Sequence, residues 1–323
     1  MSRFLACLFL LCGFVPFGAT ALTAQQDLDA GVVVRLETDK KIMTAGDKLT
    51  VRLVAEFKTA TSVPATMVGG VALDTFLDGN ESKSLRETVD GEVRIAAGTS
   101  ITRTLEIDTG AMWGEGELDG HSVLGLKWPG YATAAATVRL APDQAGLDLD
   151  KLDLAKTKVR LVTSKGELVI GFFPDKAPNH VKNFIKLSKE GFYHGTRFHR
   201  VIRGFMAQGG CPNTKEGATG IPGTGNPGYS INAEFNDVKH ERGIVSMARS
   251  SDPNSAGSQF FLMHGEAPGL DGQYSAFGQI ESGLDTLDAI CESPVTRSRS
   301  GEPSQPVEDL WLYAAIVEPV FKQ

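Results

Sequence analysis

The sequence predicts a mainly β protein in two parts, an N-terminal β-sandwich of immunoglobulin-like size and a β-dominated C-terminal half with two helices. Three observations carry this. At 323 residues the chain exceeds one ordinary core. Residues 31 to 140 show short period-two runs separated by turn signals. Beyond about residue 150, Gly-rich loops and further short strands alternate with two helical stretches.

Residues 1–21 read as a cleaved secretory signal. Arg3 precedes an apolar run from Phe4 to Val15, and Ala19-Thr20-Ala21 offers small residues to a peptidase. The run is shorter than the roughly 20 apolar residues of a membrane span. The protein is therefore expected to be exported, periplasmic or extracellular, rather than membrane-anchored. Cys7 and Cys12 leave with this segment, and Cys211 and Cys291 are expected to stay unpaired.

Residues 22–145 form the expected sandwich. Leu49, Val51, Leu53, Ala55 and Phe57 alternate with Thr50, Arg52 and Glu56, and Ile101 to Asp108 repeats the alternation. Val32 to Leu36 and Thr137 to Leu140 fit as strands, and Ala45-Gly46-Asp47, Asp78-Gly79-Asn80, Asp90-Gly91 and Pro129-Gly130 as turns. This half is acidic: residues 22 to 155 carry 21 acidic and 13 basic side chains, against 18 of each in 156 to 323. Neither half has the basic excess that phosphate neutralisation needs, which excludes nucleic acid as a partner. The sequence leaves the role of this half open, with an unknown protein partner one reading.

Residues 146–157, with Asp148, Asp150 and Asp153, read as an acidic linker, and 158–323 as the second domain. There, Lys158 to Val162 and Glu167 to Phe172 flank a hairpin signal at Ser164-Lys165-Gly166. Val181, Phe184, Ile185 and Ser188 share one helical face before Gly191, and Gly283 to Ile290 is a second helical stretch.

Four ordered blocks carry the chemistry. They are Phe198-His199-Arg200-Val201-Ile202-Arg203-Gly204-Phe205-Met206-Ala207-Gln208-Gly209-Gly210, Gly243 to Ala248, Asn254 to Phe261, and Leu270 to Gly278. Together they closely resemble the signature of cyclophilins, the peptidyl-prolyl cis-trans isomerases, over about residues 158 to 320. The resemblance implies a closed antiparallel eight-stranded β-barrel capped by two helices. It also implies acceleration of X-Pro isomerisation, here in unfolded or flexible segments of exported proteins.

The residue types suit that reaction. Peptide rotation faces a barrier of about 18 to 20 kcal/mol because the nitrogen lone pair is shared with the carbonyl. Lowering it takes a slot for the proline ring and a donor that strengthens as the nitrogen becomes pyramidal; no nucleophile, metal or cofactor is required. Arg200 is a fitting donor, being always charged and planar. By resemblance, Phe205, Met206, Phe261 and Leu270 line the proline pocket, and Gln208 holds the substrate backbone. Ala248 and Arg249 match the place where substrate pairs with main-chain groups. Gln259 is expected to brace Arg200 or the substrate path. Two positions depart from the family: Gly269 stands where a tryptophan is common, and Tyr274 where a histidine is frequent in the pocket. Weak or absent cyclosporin binding is expected.

Other patterns are weaker. Gly223 to Gly228 satisfies GxGxxG but follows no strand and contains Pro227. Gly120 to Gly125 fails the hydrolase-elbow pattern at Leu124. His194 and His199 lack metal-ligand spacing, so no metal site is expected. Two rival readings remain at this level: a proline-peptide binding or chaperone module with incidental turnover, and an envelope assembly protein centred on the sandwich.

Overall fold

The computed structural model describes residues 27–28, 32–40, 42–44, 46–114, 117–118, 123–128, 134–144 and 146–322. The expected signal segment with Cys7 and Cys12, the Pro129-Gly130 turn and the start of the Gly120–Gly125 segment lie outside them. Among the described residues no helix is long and apolar enough to cross a membrane.

The N-terminal half holds β1 (Asp27–Leu28), β2 (Val32–Thr38), β3 (Ile42–Met43), β4 (Lys48–Phe57), β5 (Thr61–Pro64), α1 (Ala65–Gly69), β6 (Val71–Leu77), β7 (Asn80–Glu87), β8 (Glu92–Ile95), β9 (Ser100–Asp108), α2 (Thr109–Met112), β10 (Val123–Lys127) and β11 (Ala135–Leu140). Sheets of order β1-β2-β4-β9 and β3-β11-β10-β6-β7 send alternate residues into one core, where Val34, Leu49, Val51 and Leu53 meet Leu73, Leu124 and Val138. The β6–β7 turn pairs Leu77 with Asn80, with Asp78 at φ 48° and Gly79 at φ 85°. Those are the left-handed conformations of a two-residue hairpin turn, which Asp-Gly supplies at little cost.

The segment read as a linker is packed. Leu152 is fully buried and bridges to Phe321, while Leu147, Leu149 and Leu154 lie on the C-terminal core. A single 3₁₀ turn, Leu149–Lys151, opens on Asp148.

The C-terminal half holds β12 (Lys158–Thr163), β13 (Gly166–Phe172), α3 (Pro178–Lys189), β14 (Thr196–Arg197), β15 (Arg200–Ile202), β16 (Met206–Gly209), β17 (Ile244–Met247), β18 (Phe260–Met263), β19 (Ala276–Ser282), α4 (Leu284–Cys291), β20 (Val295–Arg297), β21 (Pro303–Pro306) and β22 (Trp311–Glu318). Nine of these form one curled sheet ordered β14-β22-β12-β13-β19-β17-β18-β16-β15. Its two ends are consecutive in the chain. Phe198 N–H donates to Leu310 O at 2.9 Å and His199 N–H to Gln208 O at 3.0 Å, so one interrupted strand joins both edges. The nine segments are thus the eight expected strands with one divided in two, because β14 pairs with β22 and β15 with β16.

Pro178 starts α3 at a position that needs no N–H, and Val181, Phe184, Ile185 and Ser188 are its buried face, as the spacing predicts. Phe184 packs against Phe260 and Phe277, with centroids 5.2 Å away in both cases. Gly283 precedes α4 at φ 90°, and a Cβ there would come within 2.1 Å of the Glu167 carbonyl, so only glycine fits. Cys211 and Cys291 are free and buried.

Candidate active site

The site lies on the outer face of the sheet. Arg200 pairs with Gln208, Ile202 with Met206, Met206 with Met263, and Gln208 with Phe261. Because strand side chains alternate, these residues share one face while Val201, Ala207, Phe260 and Leu262 point into the barrel core. Gly204, at φ 77°, turns the β15–β16 hairpin and leaves Phe205 beside Met206. Met206, Phe261 and Met263 are buried in an apolar cluster, with Ile202, Phe205, Ile244, Ala248, Leu270 and Tyr274 around them. All four predicted pocket residues, Phe205, Met206, Phe261 and Leu270, are in that one cluster.

His240 supports the cluster from behind. Its ring stacks on Phe261 at 6.2 Å, and Tyr274 meets Phe261 edge-on at 5.7 Å. The imidazole Nδ1 lies 3.2 Å from Asp271 Oδ1 and Nε2 lies 3.1 Å from Ser246 Oγ. This has the connectivity of a hydrolase triad, yet His240 and Ser246 are both buried, so the hydroxyl meets no substrate. The set is a brace. Burial lowers the His240 pKa, although the Asp271 carboxylate opposes the shift. Asp271 is itself held down to about 2, chiefly by the His240 backbone N–H and then by Lys239. Anchoring Asp271 also fixes the neighbouring Leu270 at the pocket wall.

Arg200 and Gln208 follow separate supports. Arg200 donates through Nε and Nη2 to the two carboxylate oxygens of Glu302, at 2.7 and 2.9 Å. Its Nη1 lies 3.8 Å from Met206 Sδ, and its guanidinium carbon 6.0 Å from the Phe205 ring centre. Gln259 therefore does not brace Arg200, one of the two roles expected for it. Its Oε1 accepts from Gln208 Nε2 at 3.1 Å, and its own amide group donates to the Gly223 and Gly225 carbonyls at 2.9 Å each. Both amide hydrogens are thus spent on the Gly-rich loop, which leaves none for other partners. That loop is no phosphate cradle; it forms the edge of the site.

Ala248 donates its N–H to the Gln259 carbonyl at 2.9 Å, so its carbonyl is what it can offer a peptide. Arg249 lies over Tyr274 with its guanidinium carbon 4.6 Å from the ring centre, and Nη2 donates to the Gln273 carbonyl at 3.1 Å. Its side chain flanks the pocket rather than entering it. Glu302, His240 and Asp271 were not singled out by sequence. Of these only Asp271, inside the Leu270 to Gly278 block, carried any signal.

The family profile described as "Cyclophilin type peptidyl-prolyl cis-trans isomerase/CLD" matches residues 158–309. A peptidyl-prolyl cis-trans isomerase of Synechococcus elongatus is 50% identical over 125 residues, covering 39% of this chain and 81% of the relative. One from Helicobacter pylori is 44% identical over 156 residues, covering 47% and 91%. Peptidyl-prolyl cis-trans isomerase B of Bacillus subtilis is 43% identical over 132 residues, covering 40% and 87%. Among solved structures, a Cryptosporidium parvum cyclophilin type peptidyl-prolyl cis-trans isomerase aligns over 50% of this chain and 98% of its own at 32% identity, with a TM-score of 0.45. Arg200 and Arg249 both edge this outward apolar cluster, the first beside Met206 and the second over Tyr274. The chain belongs to the cyclophilin-type peptidyl-prolyl cis-trans isomerases.

Proposed function

We propose that this enzyme isomerises X-Pro bonds in exported proteins, with Arg200 donating a hydrogen bond to the prolyl nitrogen and the proline ring seated among Phe205, Met206, Phe261 and Leu270. The observation that carries the reading is the free edge of Arg200. Two of its nitrogens are held by Glu302, while Nη1 sits beside Met206 at the apolar cluster. As the peptide bond twists, its nitrogen regains a localised lone pair and becomes an acceptor that the planar ground state lacks. A fixed cationic donor there binds the twisted state better than either planar one, which is what acceleration requires. Gln208, steadied by Gln259, is placed to hold the flanking peptide backbone. Export rests on the pattern of residues 1–21.

The test is a protease-coupled isomerisation assay on a prolyl tetrapeptide with the wild-type chain and Arg200→Ala. A charge-assisted hydrogen bond is worth about 1.5 to 3 kcal/mol, roughly 10- to 100-fold in rate, and preorganisation raises the expected loss towards about 1000-fold. Near-normal turnover by Arg200→Ala at unchanged thermal stability refutes the mechanism.

A further inference from the structure

Glu302 lies 102 residues from Arg200 in sequence, in the connection between β20 and β21, and touches the guanidinium at two points. We propose that Glu302 is a positioning residue for the isomerase reaction, fixing the plane and the free edge of Arg200; this rests on the role assigned to Arg200 above.

A guanidinium is a rigid plane, so a carboxylate that occupies Nε and Nη2 fixes where Nη1 points. Here that remaining nitrogen faces Met206. An arginine without such a partner has four freely rotating side-chain bonds and would spread its donors over solvent. The turnover step gains only when the donor is already aimed at the nitrogen. Glu302 is itself held. The β20–β21 connection is closed by Ser298 N–H donating to Glu302 O at 2.8 Å and by Gly301 N–H donating to Ser298 O at 2.9 Å. Arg200 in turn keeps that carboxyl below its ordinary pKa. Support thus runs from the closed β20–β21 connection to Glu302 to Arg200. Both members of the pair keep about a third of their side chains exposed, at 35% and 36%, so its contribution to stability is small and its effect is on orientation.

The test compares wild type, Glu302→Gln, Arg200→Ala and the double variant, each checked for unchanged thermal unfolding. Glu302→Gln keeps the shape but places an amide group against a donor, which breaks the two-point contact. Its kcat is expected to fall about tenfold with KM within about twofold, because the planar substrate is still bound while the twisted state loses its aimed donor. The double variant is expected to be no slower than Arg200→Ala. In wild type, kcat is expected to fall in acid as Glu302 protonates, below the ordinary glutamate pKa, and this limb is expected to vanish in Glu302→Gln. The Arg200 Nε–H proton resonance, slowly exchanging in wild type, is expected to exchange rapidly in the variant. If Glu302→Gln keeps or exceeds wild-type kcat while Arg200→Ala is inactive, the positioning role is overturned and the Arg200 mechanism stands. If Arg200→Ala stays active, the mechanism itself has failed. Should Glu302→Gln unfold, Glu302→Asp, which keeps the charge but shortens its reach to Arg200, is expected to give a smaller fall in kcat; unchanged kcat there overturns the proposal.

Discussion

The side chain of Gln144 pairs with the main chain of Val317 through both ends of its amide: Nε2 donates to the Val317 carbonyl at 2.6 Å, and Oε1 accepts the Val317 N–H at 2.8 Å. Val317 belongs to β22, which pairs with β12 on one side but on the other meets β14 only at Leu312 and Trp311. The rest of that edge carries main-chain groups that need partners, and Gln144 acts there as a one-residue strand.

This contact sets where the C-terminal half can be cut. The relatives match over most of their own length, so the isomerase domain occurs without an N-terminal half of this kind. We propose that residues 143–323 fold and turn over a prolyl peptide like the full chain. A fragment of 155–323 loses Gln144, Leu147, Leu149 and the fully buried Leu152. Removing a buried leucine side chain alone costs about 2 to 5 kcal/mol, and each kcal/mol moves the Tm of a domain this size by about 2 to 4 °C. The shorter fragment is expected to melt on the order of 10 °C lower while its kcat/KM at low temperature stays within about twofold. Equal melting of the two fragments would show that the 143–154 segment adds nothing.

Acid stability is expected to depend on His199, in the short break between β14 and β15. Burial, reinforced by the neighbouring Arg200 charge, pushes its pKa from 6.5 down to about 4. The folded protein therefore binds fewer protons than the unfolded chain between those values. Stability from this group is complete above about pH 6.5 and declines as pH falls towards 4. Those two values differ by about 2.5, which corresponds to about 3 kcal/mol. His180, His194 and His240 are lowered in the same direction, each chiefly by burial. Comparing chemical denaturation at pH 7.5 and 4.5, His199→Gln is expected to lose less stability than wild type across that span. An identical loss would place the acid sensitivity elsewhere.

Much of the site was legible because its members are local. Arg200, Phe205, Met206 and Gln208 fall within nine residues, and a hairpin with Gly204 at its turn brings them to one face. Glu302 was not legible. It stands in Ser298 to Glu302, a polar loop with no period, and only closure of the sheet brings it to Arg200. The packing of residues 146–157 was not legible for a different reason. Asp148, Asp150 and Asp153 dominate the segment's composition, while Leu147, Leu149 and Leu152 fit neither a helical nor a strand period. Their burial depends on the extended path of the chain over the domain. The Asp78-Gly79 turn, in contrast, was legible from two residues, since its left-handed geometry admits few others.

Gly269 tests how far the pocket can be separated from the drug-binding surface that resemblance to cyclophilins implies. A tryptophan at the matching family position closes one wall of that surface and offers an indole N–H. Here glycine stands at that position. Gly269 sits in the 3₁₀ turn Pro268–Leu270, and a Cβ added there would meet nothing within 4 Å. Its carbonyl accepts from Gln273 Nε2 at 3.1 Å, a bond that any residue at 269 can keep. A larger side chain therefore enters open space without shifting Leu270 or Tyr274. Aromatic contacts at interfaces are each worth about 2 kcal/mol or more on truncation, roughly 30-fold in affinity. We expect the wild-type protein to bind cyclosporin weakly in calorimetry. Gly269→Trp is expected to bind it at least tenfold more tightly, with turnover of a prolyl tetrapeptide within about threefold, because the proline pocket is formed by other side chains. Nanomolar binding by the wild-type chain would mean that another group already supplies this wall, with Arg249 and Tyr274, stacked 4.6 Å apart at the pocket edge, the first to replace.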